Sequence, residues 1–160
     1  MKESKKKTII LGIGNPILSD DGVGIHVIEE LKKKKFDIPG ITVDSAFTGG
    51  MNLLDMIVDH DRAILVDAIK RNDKKPGDVG VYPIGEVSAF HTTNPHDLSL
   101  PQAIDMAKRL GEKRIPKDIR IVGINLGELP TEFGENLSPE ILNSIPKAVK
   151  AVEKEIKKDG

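Results

Sequence analysis

Two adjacent carboxylates, a third at the end of an apolar run and two histidines in one polar stretch are the residues of this chain whose types and spacing suit chemistry. Asp20 and Asp21 lie in GIGNPILSDDGVG, Asp67 closes AILVD, and His91 and His96 lie in AFHTTNPHDLSL. A carboxylate at the end of a buried run is desolvated unless it meets a partner or a metal, so Asp67 points to function more than to structure. Asp20 reads as a helix cap. Asp21 cannot share that position, so it either offsets the helix dipole or belongs to a site. His96, held between Pro95 and Asp97, is the better ligand candidate of the two histidines, although Asp97 could serve only to orient it or to cap the next helix. His26 falls within a helical pattern and His60 beside Asp59 and Asp61 in a polar turn, so both read as structural or solvated.

Asp21, Asp67 and His96 together would make a site of two carboxylates and one imidazole. Such a site leaves positions open for a hydrolytic water, a substrate group or a metal carried by the substrate. The chain has no cysteine, which excludes a disulfide framework, a thiolate nucleophile and a cysteine-based zinc site. No GxSxG elbow is present, so a Ser/His/Asp triad lacks support. The glycines at 12 and 14 resemble a dinucleotide fingerprint only weakly. Asp20 and Asp21 would stand where a phosphate needs bare backbone N–H groups and would repel it.

Positioning these groups is the task of an alternating pattern of short β-branched runs and longer amphipathic ones, the signature of an α/β fold. Thr8 to Ile13 reads as a strand buried on both faces, followed by a helix over about 21–35 with Val23, Val27, Ile28 and Leu31 inward. Strands are expected over 41–44, over 63–66 ending in Asp67, over 78–84 as an antiparallel return, and over 119–124. Helices are expected after Thr48-Gly49-Gly50, over 99–110 and from Ser138-Pro139 onward, the last burying Ile141, Leu142, Ile145, Val149, Val152 and Ile156 and kinked or interrupted by Pro146. Five strands and four helices in this order predict a single-domain three-layer α/β/α sandwich over residues 1–160. Its sheet is mostly parallel with one antiparallel strand, and the order starts 2-1-3. Strands one and three then flank the switch point where such sheets bind ligands, with Asp20, Asp21 and Asp67 beside it.

A chain of 160 residues with Lys+Arg 24 against Asp+Glu 25 has no overall field favouring nucleic acid or an acidic membrane. One Tyr, four Phe and no Trp argue against a base-stacking surface. No signal-peptide pattern and no long apolar segment is seen, so a cytoplasmic protein without membrane insertion is expected.

The motif LGIGNPILSDDGVGIHVIEEL closely resembles the N-terminal signature of the hydrogenase maturation endopeptidases, and the resemblance continues through VDSAFTGGMNLLDMI, AILVDAIK and NPHDLSLPQAI as far as IVGINLGEL. It implies an α/β endopeptidase that acts on the nickel-loaded large-subunit precursor of a [NiFe] hydrogenase and removes a short C-terminal extension. The family's metal-contacting residues fall on Asp21, Asp67 and His96, with Asp21 where some members carry Glu. Its substrate-selecting glycine-rich segment falls on Asp44 to Gly50, that is, on Asp44, Thr48, Gly49 and Gly50. Thr48 to Gly50 reads equally as a helix-entry turn. Two mechanisms fit the resemblance: a metallohydrolase with a metal of its own, and a sensor whose ligands meet nickel brought by the substrate. The second is preferred, because three hard or borderline ligands without a thiolate need not retain a metal, and nickel dependence would prevent premature cleavage. In vitro, another divalent metal is expected to be able to occupy the site. A nickel-binding assembly chaperone without proteolysis would use the same three residues, and a nucleotide-binding regulator would use the glycine turn.

Overall fold

Continuous burial along three central strands organises the molecule. A computed structural model of the chain describes residues 6–34, 38–47, 50–86, 100–129 and 132–158. The elements run β1 (Thr8–Ile13), α1 (Val23–Lys33), β2 (Ile41–Ala46), α2 (Gly50–Ile57), β3 (Arg62–Ile69), β4 (Val79–Pro83), α3 (Leu100–Arg109), β5 (Asp118–Asn125), α4 (Pro139–Leu142) and α5 (Ile145–Lys157), with a 3-10 turn at Ser19–Gly22. The sheet order is β2-β1-β3-β5-β4; all neighbours are parallel except β4, which returns antiparallel on β5.

Successive residues of a strand face opposite sides, and the two cores follow that period. Ile10, Ile64, Val66, Ala68, Val122 and Ile124 pack with residues of α1, α4 and α5. Ile9, Leu11, Ala63, Leu65, Ile119 and Ile121 pack with residues of α2 and α3. Both faces are therefore covered, as the continuous apolar runs predicted, and the fold is the expected mixed five-stranded α/β sheet. Among the described residues no helix is long and apolar enough to cross a membrane.

Two expectations need correction. Asp67 does not end β3: pairing with β1 stops at Gly12 and Val66, but β3 runs on beside β5 through Asp67–Gly123, Ala68–Ile124 and Ile69–Asn125. The C-terminal segment is two helices, not one kinked helix, so the chain has five helices and not four among the described residues. Pro146 lies in the first turn of α5, where its missing N–H costs nothing. The break turns Leu142 outward, 55% exposed, although the periodicity placed it in the core.

Candidate functional site

Pairing of β1 with β3 ends at Gly12 and Val66, one residue before Asp67 and near the end of β3. β1 leaves the sheet after Ile13, and the chain turns at Gly14 and Asn15 into the 3-10 turn that carries Asp20 and Asp21. A Cβ on Gly14 would lie 2.3 Å from the Asp21 carbonyl oxygen, so only glycine lets the turn fold back this tightly. A Cβ on Gly24 would lie 2.4 Å from the Val66 carbonyl oxygen and 2.5 Å from that of Ile13. The first turn of α1 thus sits directly on both strands. These glycines serve close backbone packing that brings the acidic turn to β3.

Asp21 and Asp67 are both buried, at 4% and 8% exposure. Asp21 Oδ2 accepts a hydrogen bond from the Asn15 N–H at 3.2 Å, and Asp67 Oδ1 accepts one from the Ala68 N–H at 2.8 Å. Burial, and after it the charge of Asp21, push the Asp67 carboxyl well above the usual carboxylate range; the Ala68 N–H works in the opposite direction. The Asp21 charge thus acts on Asp67 in a place where water screens poorly. Among the described residues no Lys or Arg forms an ion pair with Asp67. Two desolvated carboxylates in this arrangement suit a divalent cation, which would relieve both the desolvation and the repulsion.

Asp20 is buried as well but does a different job. It does not cap its own helix, as the sequence suggested. Its two oxygens accept from the Ser138 N–H at 2.7 Å and the Ser138 hydroxyl at 2.6 Å, holding the entry to α4. Ser138 was legible only as a helix start, because nothing in sequence spacing links positions 20 and 138. His60 is structural: its Nδ1 lies 3.1 Å from the Ile57 carbonyl and 3.0 Å from that of Val58, at the end of α2.

His91 and His96 lie outside the described residues, as do Thr48 and Gly49. Among the described residues no group of three acidic or imidazole side chains is placed to hold a metal ion. Asp21 and Asp67 are the two expected ligands that the structure brings together. Asp44 lies on the edge strand β2, exposed, with Oδ1 accepting from the Ser45 N–H at 2.8 Å. Gly50 opens α2. Leu100, the first described residue after the segment that carries His96, belongs to the same core as Leu65, two residues before Asp67.

Comparison with known proteins gives a consistent result. The family model HycI, hydrogenase maturation protease, matches residues 25–155. The hydrogenase 2 maturation protease of Escherichia coli (strain K12) is 28% identical over 156 residues, covering 96% of this chain and 93% of that protein. A putative hydrogenase maturation protease of Methanocaldococcus jannaschii is 28% identical over 159 residues, covering 96% and 99%. The solved structure of the hydrogenase maturating endopeptidase HybD from E. coli superposes with a TM-score of 0.82 at 26% identity, covering 96% of this chain and 94% of that one.

Proposed function

The chain belongs to the hydrogenase maturation protease family and is a peptidase, and from that premise we propose that it removes a C-terminal extension from the nickel-loaded large-subunit precursor of a [NiFe] hydrogenase. Nickel is cargo of the precursor in this reading, and Asp21, Asp67 and His96 are the groups that meet it. The observation that carries the reading is the burial of Asp21 and Asp67 beside one another, with the Asp21 charge and desolvation both raising the Asp67 carboxyl's pKa.

The physics favours a sensor. A nickel-free precursor offers the two buried carboxyl groups no metal to contact, so docking against them gains little. With nickel in the precursor, a dication meets both charges and the peptide beyond it is held in place over the site. Asp44 and the Thr48–Gly50 segment are proposed to help choose the precursor, because glycine permits close approach of another backbone.

The test is to incubate the protein with nickel-loaded and with nickel-free precursor and to measure the mass of each. Loss of a C-terminal peptide from the loaded form alone is the expected result. Equal cleavage of both forms would remove the sensing role, and nickel binding without any cleavage would leave an assembly chaperone in place of a peptidase acting on this substrate.

A further inference from the structure

Five hydrogen bonds fasten the segment 132–138 to the turn that carries Asp20 and Asp21. The Gly134 N–H donates to the Ile17 carbonyl at 2.8 Å and the Ser19 N–H to the Gly134 carbonyl at 2.7 Å, forming a parallel bridge between Leu18 and Gly134. The Ser19 hydroxyl donates to the Asn136 carbonyl at 2.5 Å, and Ser138 gives Asp20 its two bonds. Ser19 is held at φ 50°, a left-handed conformation that a serine adopts only when its surroundings impose it. The two loops are thus tied together by hydrogen bonds at the carboxylate turn.

What it displays is apolar. One residue back on each side of the bridge stand Ile17 and Phe133, which are 53% and 87% exposed. A large aromatic side chain on a loop already fixed by hydrogen bonds loses little further freedom on binding and offers much area to a partner. Such preorganised anchors dominate the binding energy of interfaces. The charge around them narrows the partner. Glu132 and Glu135 flank Phe133 and are exposed, and from Ile121 to Pro146 the chain carries four Glu and no Lys or Arg. An acidic segment would be repelled here.

We propose that Ile17 and Phe133 are substrate-docking residues that seat an apolar, non-acidic segment of the precursor polypeptide beside the Asp21–Asp67 pair. The inference rests on the proposed function, and it adds contact residues beyond Asp44 to Gly50, on the loop before Ser19 and on the 132–138 segment that follows β5. Its occupant is the precursor, because Ile17 lies in the 15–18 turn that leads directly into the turn carrying Asp21, so a polypeptide presented to the carboxylates passes this face.

The experiment measures KM and kcat for cleavage of the nickel-loaded large-subunit precursor by the wild type, Phe133→Ser, Ile17→Ser, Phe133→Leu and Leu110→Ser, with a melting temperature for each. Leu110 is the control: it is 80% exposed between α3 and β5, away from the site. Phe133→Ser is expected to raise KM about tenfold with kcat within about twofold, Ile17→Ser to raise it less, and Phe133→Leu to recover most of the loss. Leu110→Ser should match the wild type. Unchanged KM in both serine variants, while the wild type cleaves, would overturn the docking residues and leave the proposed function standing. An equal rise in Leu110→Ser would overturn them too, since the effect would then be general. If Phe133→Ser melts early, Ile17→Ser decides alone. A wild type that cleaves no precursor would overturn the proposed function and this inference with it.

Discussion

The two ends of β3 bury opposite charges and treat them in opposite ways. At its start, Arg62 is 5% exposed and fully engaged: Nε donates to Asp118 at 2.9 Å, Nη1 to the Glu155 carbonyl at 2.6 Å and Nη2 to the Glu155 carboxylate, which also receives Lys158 at 2.9 Å. Near its end, Asp67 has a backbone N–H and a like-charged neighbour in Asp21. A buried charge with partners on every side is a structural joint, here tying β3 to β5 and α5. One placed beside a like charge is costly, and the proposed function assigns the relief of that cost to the nickel of the precursor. The comparison separates the supporting edge of the sheet from the working edge using one strand.

Exchanging the carboxylate for its neutral isostere tests the working end most severely. In Asp67→Asn, cleavage of nickel-loaded precursor is expected to fall by about two orders of magnitude or more, because an amide is a poor partner for a divalent cation. The fold should not suffer. Asp67 has a folded-state pKa raised above its unfolded value, so the native state binds the extra proton and wild-type stability falls as pH rises from the ordinary carboxylate range to that raised value. Asp67→Asn lacks this loss and should melt no lower than the wild type at neutral pH, with its relative advantage gone in acid. Full cleavage by a well-folded Asp67→Asn protein would take Asp67 out of the mechanism.

At the supporting end the signs reverse. Arg62→Met should destabilise by about 3 kcal/mol, read in urea denaturation, since it leaves the Glu155 carboxylate buried without its guanidinium. Adding Glu155→Met should recover most of that loss. A double variant as unstable as the single one would show that the ion pair itself, and not relief of an orphaned charge, holds α5 to β3.

Acid should find the same joint. Burial opposes ionisation of Glu155, but hydrogen bonds from Lys158 and Arg62 outweigh it and hold its carboxyl below the ordinary value of 4.5. A depressed folded pKa contributes stability that is present above the unfolded value and lost as pH falls through the folded one. Melting temperature followed downward from pH 5 should therefore drop more steeply in the wild type than in Glu155→Gln. Parallel curves would remove Glu155 from the acid response.

The smallest effect concerns the clamp between the working edge and α4. Ser138→Ala removes one of the two bonds to Asp20 and should cost about 1–2 kcal/mol in thermal or chemical denaturation. No measurable change would mean that the remaining backbone bond holds the loop unaided.

The order of elements, the two-sided burial of the sheet and the single antiparallel strand followed from the sequence itself, because continuous apolar runs, glycine turns and helical spacing are local properties that act over a few residues. The same holds for the candidate acids: Asp67 stood out against its apolar neighbours, and two consecutive acids after a glycine turn could not both be caps. Tertiary structure alone decided the rest. That Asp20 holds Ser138 while the Asp21 charge acts on Asp67 depends on separations of 118 and 46 residues, to which no periodicity is sensitive. That Asp67 lies within β3 depends on β5 continuing beside it after β1 has left. That Leu142 turns outward depends on the chain breaking before Ile145, a choice made by how α4 and α5 each pack on the sheet. That Arg62 is a joint and not a solvated cation depends on three acids or carbonyls brought from β5 and α5. Local pattern sets which elements form, while the pairing of buried charges is settled only when distant segments exclude water from the same place.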